Sequence, residues 1–199
     1  MTQTLRDGRQ LILASTSPFR SGLLKRLCLP FETRAPNIDE TPFAIEQAQT
    51  LVARLAEAKA QTIAGQLTKS LVIGSDQTAV LNGQIIGKPG NHERARVQLL
   101  QASGKTVAFY TGLALIDSDS KRTQIEVVTF HVHFRKLSGC QVESYLHREQ
   151  PYQCAGSFKA EGLGIALFER LEGDDPSSLI GLPLIRLTRM LETEGVTVL

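Results

Sequence analysis

The sequence contains only three cysteines, Cys28, Cys140 and Cys154, and they form no CxxC pair. An odd number of isolated cysteines argues against a disulfide framework, so we expect reduced thiols and a cytoplasmic protein. No apolar run approaches the ~20 residues of a membrane helix. Residues 1–10 are predicted to be a polar lead-in, because they lack the apolar core of a signal peptide. A formal net charge of +2 is too small to indicate binding to nucleic acid or to a membrane.

Several common catalytic and binding motifs are also absent. GxGxxG and GxxxxGK[ST] do not occur, which excludes a dinucleotide-binding fingerprint and a P-loop. GxSxG is missing too, so a serine nucleophile has no local support. His131 and His133 share one face of a predicted strand, but no Cys or carboxylate lies at a supporting short spacing. A solvated strand is therefore favoured over a metal site at these histidines.

The elements that the pattern does predict alternate between strands and helices. A length of 199 residues with 42% hydrophobic and 21% charged residues fits one domain over 1–199, with room for two lobes around a cleft. Apolar runs predict strands at 11–14, 30–33, 71–73, 106–116, 123–134 and 163–170, and a hairpin over 80–86 around Asn82-Gly83. Helical spacing predicts helices at 17–27, 47–64, 93–102, 140–148 and 183–192. This order indicates an α/β or α+β domain with a mixed twisted sheet and flanking helices.

Lys59 lies on the apolar face of the helix predicted over 47–64. Leu51, Leu55 and Ile63 recur at helical spacing, and Lys59 occupies the position between them in the same series. Its ammonium either points into a pocket or extends from the edge of the stripe into water. For this residue alone the second interpretation is slightly favoured. A second inward cation close by reverses that preference.

That second cation, Arg20, belongs to a strand-to-helix turn rich in hydroxyl groups. Ser15 and Ser17 precede it, and Pro18 opens the helix. Exposed N–H groups, hydroxyls and Arg20 can converge there on phosphate oxygens. An ordinary N-cap followed by proline explains Ser17 and Pro18 equally well, but it does not explain Arg20 or the exposed aromatic ring of Phe19. Together with Lys59, this turn suggests a pocket for a polyanion.

Carboxylates stand near these cations in the sequence. Asp76 follows the predicted strand over 71–73 at its carboxyl end, where open α/β sheets bind ligands. Glu40, beside Asp39, lies in an acidic loop over 36–42. A nucleotide hydrolase uses carboxylates to hold a divalent cation and to orient or deprotonate water, and Glu40 and Asp76 are our candidates. As alternatives, these acids cap a turn or a helix, and Lys88, a further candidate phosphate contact, is an ordinary turn lysine.

The same residues lie within longer segments that resemble a known family. The segments are LILASTSPFRSGLL, NIDETP, the helix with Ala58-Lys59-Ala60, IGSDQ, GKP, YTGLAL, CAGSFKAEG and LIGLPL. In this order, and over nearly the whole chain from Leu11, they resemble the Maf family of nucleotide pyrophosphatases. Within that family they are more similar to the 7-methyl-GTP branch than to the dTTP/UTP branch. The resemblance implies an ITPase-like α/β fold with a central cleft between two lobes and, for many members, a homodimer.

The resemblance also implies roles for single residues. It makes Asp76 the proton acceptor, Glu40 an acidic site residue, and Arg20, Lys59 and Lys88 the phosphate contacts. It makes Phe19, Gln77 and Glu161 the specificity set, where the dTTP/UTP branch usually carries Arg, Thr and Gln. Ser21 stands where some relatives have a basic residue, and we expect little effect from that difference.

The specificity set has a physical interpretation of its own. Methylation at N7 places a positive charge on guanine, and an aromatic face attracts such a cation by about 0.5–2 kcal/mol. Phe19 can therefore stack on the base. Glu161 can accept hydrogen bonds from the N1 and N2 donors of guanine, and these bonds strengthen when charge assists them. As alternatives, Phe19 packs against its own helix and Glu161 is a solvated charge beside Lys159.

The resemblance to this family therefore implies hydrolysis of 7-methyl-GTP to 7-methyl-GMP and pyrophosphate. A divalent cation, Mg²⁺, Mn²⁺ or Co²⁺, is expected on Glu40 and Asp76. The expected substrate-binding residues are Ser15, Phe19, Arg20, Lys59, Gln77, Lys88 and Glu161. Pyrimidine or other modified triphosphates are the first alternative substrates. A nucleotide-binding regulator of cell division is the alternative of another class, but the water-activating acid at Asp76 favours an enzyme.

Overall fold

A computed structural model describes residues 4–199 of the chain. Its strands are β1 (Gln10–Ala14), β2 (Glu32–Arg34), β3 (Ser70–Leu81), β4 (Gln84–Ile86), β5 (Thr106–Asp117), β6 (Thr123–Phe134) and β7 (Phe168–Glu172). Its α-helices are α1 (Pro18–Leu24), α2 (Ala48–Ala64), α3 (His92–Ala102), α4 (Gly139–Glu149) and α5 (Leu184–Thr193). Short 3₁₀ turns occur at Lys25–Leu27, Ala155–Ser157, Leu163–Leu167 and Pro176–Ile180. Among the helices of residues 4–199, none has the length and apolar character needed to cross a membrane.

The strands form a single mixed sheet, which confirms the predicted α/β fold class. The strand order is β2-β1-β3-β5-β6-β7, and β4 pairs with β3 away from this path. β2, β1 and β3 run parallel, whereas β3, β5, β6 and β7 are antiparallel neighbours. The hairpin predicted from 106–116 and 123–134 is confirmed as β5 and β6.

β3 is much longer than the strand predicted over 71–73. Its first four residues pair with β1, and the strand then continues because β5 pairs with its other edge as far as Val80. Asp76 therefore lies in the middle of a strand, and the prediction that it follows a strand end is wrong. β4 joins the same edge as β1 only from Ala79 onward. Residues 74–78 consequently face a gap between β1 and β4, and this gap contains the site.

The second correction concerns 163–170, for which the sequence predicts one strand. Residues Leu163–Leu167 form a 3₁₀ turn instead, and the strand β7 begins at Phe168. The backbone of Gly164 packs so closely on the carbonyl of Lys159 that a Cβ would collide with it. The Leu163 amide also donates to Glu149 Oε2 over 2.8 Å, so it cannot join a sheet. The residues of this segment have the apolar character of a strand, but these contacts override their strand propensity.

The tight hairpin predicted at Asn82-Gly83 is confirmed. It connects β3 to β4, and both turn residues have positive φ, +51° for Asn82 and +77° for Gly83. A type I′ turn requires this conformation at both positions, and Asn-Gly adopts it most readily. The hairpin directs the chain back along the sheet and places Lys88 beside the gap in the edge of β3.

The core is divided over the sheet in a way that leaves a cleft between two lobes. α2 covers one face of β1, β3 and β5, where Ala56, Ala60 and Ile63 pack on Ile12 and Val72. α1 and α5 cover the opposite face. A separate cluster joins α3 and α4 to the far ends of β3, β5 and β6 around residues such as Leu99, Phe109 and Leu146. The predicted two-lobed arrangement follows from these separate clusters.

The polar lead-in predicted over 1–10 is only partly a lead-in. Residues 1–3 lie outside the described residues. Leu5 is buried against the core cluster beneath α5, and Gln10 already belongs to β1. Arg9 forms ion pairs with Asp7 at 2.6 Å and with Asp117 at 3.0 Å. These contacts fix residues 5–10 on the domain.

Candidate active site

A cleft of about 760 Å³ lies at the gap in the edge of β3. It has the size of a small-molecule binding site, since such sites measure roughly 300–1,000 Å³. The structure brings every predicted site residue to its wall: Ser15, Phe19, Arg20, Glu40, Lys59, Asp76, Gln77, Lys88 and Glu161. The charged side chains on this wall are three cations and three carboxylates.

Lys59 forms the centre of the cleft floor. It is 4% exposed, and its Nζ lies 2.6 Å from Asp76 Oδ1 and 2.6 Å from Glu40 Oε1. The prediction of an inward ammonium is therefore correct, and the alternative of an ammonium that extends to bulk water is wrong. Two carboxylates converge on a single cation that is almost removed from solvent. Such a cation is stable only while its partners are present, because an unpaired buried charge is strongly unfavourable.

Two glycines allow α2 to approach β3 and β5 closely enough for this contact. A Cβ on Gly74 would collide with the carbonyl oxygen of Ala56, and one on Gly112 would collide with that of Val52. Gly74 and Asp76 face the same side of β3, because side chains alternate along a strand. Lys59 follows Ala56 on the helix by three residues, so it reaches Asp76 directly.

Glu40 enters the cleft from the acidic loop and remains partly exposed, with 57% of its side chain accessible. Partial burial acts to raise its pKa, but the hydrogen bond and charge of Lys59 outweigh this effect, with help from Lys88 and Arg20. The pKa of Glu40 therefore lies below its ordinary value. Glu40 is an ionised carboxylate at neutral pH.

The turn between β1 and α1 supplies Arg20, as predicted. Ser17 caps the helix by accepting from the Arg20 amide over 3.4 Å, and Ser15 Oγ accepts from the Ser17 amide over 3.1 Å. The Arg20 guanidinium donates from Nε to the carbonyl oxygen of Gly181 over 2.9 Å. Burial lowers the pKa of Arg20, while the charges of Asp76 and Glu40 act to raise it. Arginine stays protonated under such a shift.

The carbonyl that holds Arg20 belongs to a loop that the sequence does not identify as part of the site. Ser75 Oγ lies 2.9 Å from the carbonyl oxygens of Gly112 and Gly181. Gly181 has φ +117°, a conformation that favours glycine. Its position in LIGLPL is the only signal in the sequence, and that segment carries no assigned chemistry. The loop after the Pro176–Ile180 turn is therefore a structural part of the cleft wall beside Arg20.

Gln77 lies at the cleft wall, but its amide nitrogen is already engaged. Nε2 lies 2.6 Å from the carbonyl oxygen of Ser178, 3.2 Å from that of Leu179 and 3.1 Å from Thr111 Oγ1. Its side chain points to the face of β3 opposite Asp76, toward the 176–181 loop. Gln77 thus supports the loop that contacts Arg20, and its role in substrate selection stays a prediction.

The remaining predicted residues lie at the mouth of the cleft. Phe19 is 38% exposed, and Lys88 and Glu161 are exposed as well. Cys154 lies near Glu161; burial raises the pKa of its thiol, and the charge of Glu161 adds to that effect. The sequence does not single out Cys154 as a residue of the cleft. All three cysteines are free thiols, as predicted.

The carboxylates of the cleft fit a hard divalent cation. Mg²⁺ is usually held by one or two carboxylates together with substrate phosphates and water, and Asp76 and Glu40 offer such a pair. Residues 4–199 contain no cluster of three or more His, Cys, Asp or Glu side chains arranged to hold a metal ion by themselves. His133 is bonded instead to Thr106 at 2.8 Å and to Glu172 at 3.0 Å. The preference for a solvated strand over a metal site at His131 and His133 stays a prediction.

Comparison with known proteins gives one family and close relatives. A family model described as Maf-like protein matches residues 10–194. A protein of Nitrosococcus oceani named 7-methyl-GTP pyrophosphatase is 59% identical over 189 residues, which cover 95% of each chain. A protein of Vibrio vulnificus with the same name is 55% identical over 194 residues, which cover 97% of this chain and 99% of that one.

Proposed function

This chain belongs to the Maf family, and on that basis we propose that it hydrolyses 7-methyl-GTP to 7-methyl-GMP and pyrophosphate. The observation that carries the proposal is the buried Lys59 ammonium, bound by two carboxylates on the floor of a nucleotide-sized cleft. A cation in that position can contact a phosphate chain while an adjacent carboxylate orients or deprotonates a water molecule. Two close relatives that cover nearly the whole chain bear the name of this activity.

We assign Asp76 as the general base that accepts a proton from the attacking water. Lys59 donates to its Oδ1 over 2.6 Å, and we assign Oδ2 to the attacking water molecule. Water adds to the α-phosphorus, its proton passes to the Asp76 carboxylate, and the bond to the bridging oxygen breaks. Pyrophosphate leaves with the electron pair of that bond. General-base assistance of this kind contributes about 10²–10⁴-fold to a rate.

Arg20, Lys59 and Lys88 are assigned to the phosphates. The three cations reach the cleft wall from α1, from α2 and from the segment after β4. Negative charge shifts onto the departing pyrophosphate in the transition state, and fixed cations stabilise that charge without reorganisation. Lys59 can exchange its contact with Glu40 for a phosphate oxygen while it keeps Asp76 in place.

A divalent cation, Mg²⁺, Mn²⁺ or Co²⁺, is assigned to Glu40 and Asp76. When bound it neutralises phosphate oxygens as a Lewis acid. The chain's own contribution is to supply two carboxylates, and Lys59 contacts both of them at 2.6 Å.

We assign Phe19 and Glu161 to recognition of the nucleobase. Phe19 presents an exposed ring at the cleft mouth, and Glu161 presents a carboxylate on the same wall. A ring that carries a positive charge is attracted by both groups, whereas thymine or uracil carries no such charge. This pair supports 7-methyl-GTP over pyrimidine triphosphates.

Replacing Glu161 by Gln tests whether this residue recognises the nucleobase. We expect the preference for 7-methyl-GTP over GTP, measured as a ratio of kcat/KM values, to fall by about tenfold. The reason is that only 7-methyl-GTP carries a ring charge, and charge assistance strengthens its hydrogen bonds to the Glu161 carboxylate by roughly 1–1.5 kcal/mol. Glu169→Gln, an exposed change on β7 outside the cleft wall, is the matched control and should leave the ratio unchanged. An unaltered ratio in Glu161→Gln would remove Glu161 from the specificity set.

The activity itself is tested by pyrophosphate release from a panel of nucleoside triphosphates, with and without a chelator. We expect 7-methyl-GTP to have the highest kcat/KM and the chelator to stop turnover. A higher value for dTTP, UTP or CTP would assign the pyrimidine specificity instead. Nucleotide binding without any release of pyrophosphate would favour a regulator. We also propose a cytoplasmic location, because free thiols persist there, while the homodimer stays a prediction.

A further inference from the structure

The loop that delivers Glu40 to the cleft is held by contacts outside the cleft. Within residues 4–199, Lys59 is the one ion-pair partner of Glu40, and more than half of the Glu40 side chain is exposed. Ile45, in the same loop, has φ +62°, an unfavourable conformation for a β-branched residue. Such a conformation persists only where surrounding contacts enforce it. Contacts of that kind come from α2.

Arg54, on α2, makes those contacts with three different parts of the loop. Its guanidinium forms a bidentate pair with Glu46, with Nε to Oε1 and Nη2 to Oε2 each at 2.7 Å. Nη2 also donates to the carbonyl oxygen of Thr41 over 3.3 Å. The same guanidinium lies 4.0 Å from the ring centroid of Phe43. One planar side chain therefore binds the loop at residues 41, 43 and 46.

The loop completes this arrangement with bonds of its own. Glu46 Oε2 accepts from the Phe43 amide over 3.0 Å, so the carboxylate that binds Arg54 also closes the loop. Asp39 Oδ1 accepts from the Thr41 amide over 2.9 Å and from its hydroxyl over 2.6 Å. Glu40 lies between Asp39 and Thr41, so its backbone is fixed on both sides. The hydrogen bond from Arg54 lowers the pKa of Glu46 to about 2, so Glu46 is ionised at neutral pH.

We propose that Arg54 is a positioning residue that fixes the 39–46 loop so that Glu40 reaches Lys59 and the cation site. α2 thus supplies both the ammonium that meets Glu40 and the guanidinium that orders its loop. Lysine cannot replace arginine here, since an ammonium provides neither the bidentate fork nor the flat face for Phe43. The assignment of Glu40 to a cation rests on the proposed function, whereas the ordering of the loop does not.

The test uses Arg54→Lys in the full-length protein and two readouts besides turnover. Amide hydrogen exchange in residues 39–46 is expected to become faster, while exchange in α5 stays as in the wild type. Mn²⁺ binding, followed by electron paramagnetic resonance, is expected to weaken by about tenfold or more, as for other groups that orient metal ligands. Arg189→Lys, an exposed arginine on α5, is the matched control and should change neither quantity. A thermal melt of each variant separates local from global loss of structure.

A double substitution shows whether Arg54 acts through Glu40. In a Glu40→Gln background, Arg54→Lys is expected to weaken Mn²⁺ binding no further, because the ligand it positions is already lost. Equal effects in both backgrounds, or unchanged exchange in 39–46, would overturn the proposal. Absence of pyrophosphate release by the wild type would defeat the proposed function instead, and the exchange measurement would still decide the role of Arg54.

Discussion

Asp76→Asn is expected to lower kcat for pyrophosphate release by about 10²–10⁴-fold and to leave the dissociation constant of the nucleotide nearly unchanged. Asparagine has the size of aspartate, and its amide oxygen can still accept from Lys59, which also keeps its contact with Glu40. The floor of the cleft should therefore stay intact, while the carboxylate that we assign as proton acceptor is lost. Single-turnover kinetics and calorimetric binding of 7-methyl-GTP provide the two measurements.

Asp174→Asn is the control for this loss of charge. Asp174 lies outside the cleft wall with 91% of its side chain exposed, so kcat should match that of the wild type. An Asp76→Asn variant with near-normal turnover would transfer the role of base to another group, of which Glu40 is the nearest. A variant that loses turnover and nucleotide affinity together would instead make Asp76 a binding residue.

Gly74→Ala is expected to destabilise the domain and to impair turnover with it. The new Cβ would collide with the carbonyl oxygen of Ala56 and lie 2.9 Å from the Ala60 nitrogen, so α2 must move away from the sheet. Overpacking of this kind costs about 1–3 kcal/mol, and each kcal/mol lowers Tm by about 2–4 °C in a domain of this size. Because Lys59 moves with the helix, its contact with Asp76 should lengthen and kcat should fall.

The same substitution at Gly22 is expected to stabilise the domain and to raise Tm. Gly22 lies within α1, is exposed, and has no neighbouring atom within 4 Å of the point that a Cβ would occupy. Alanine in a helix is about 0.5–1 kcal/mol more favourable than glycine. Calorimetric melting of both variants measures the contrast. Equal Tm values for Gly74→Ala and the wild type would show that α2 can be displaced without loss, and that the close approach is not needed.

The inward cations can be predicted because helical periodicity alone places a side chain on the buried or the wet face. Lys59 is such a case, and its inward position indicates where the site lies. The turn at Asn82-Gly83 can be predicted equally well, since positive φ at both residues is a local property. The mixed sheet is predictable from the order of strands and helices along the chain. These features depend on neighbours close in sequence.

The missed features depend on residues far apart in sequence. Nothing local shows that β5 extends β3 beyond Ile73 and carries Asp76 into the middle of a strand. The carbonyl of Gly181 binds Arg20 across 161 positions of sequence, and a backbone oxygen leaves no mark on residue type. Arg54 looks like an ordinary helix arginine until the loop that it binds is folded over it.

The balance of charge on the cleft wall has a consequence for how substrate arrives. Arg20, Lys59 and Lys88 are matched in number by Glu40, Asp76 and Glu161, so their formal charges cancel. A balanced wall projects little long-range potential into solution, and diffusing nucleotides are not steered toward it. We expect discrimination at contact instead, where Lys59 would exchange Glu40 for a phosphate oxygen. In the absence of a divalent cation, the rate of capture should accordingly depend only weakly on ionic strength, because a cation on Glu40 and Asp76 would add two positive charges to the wall.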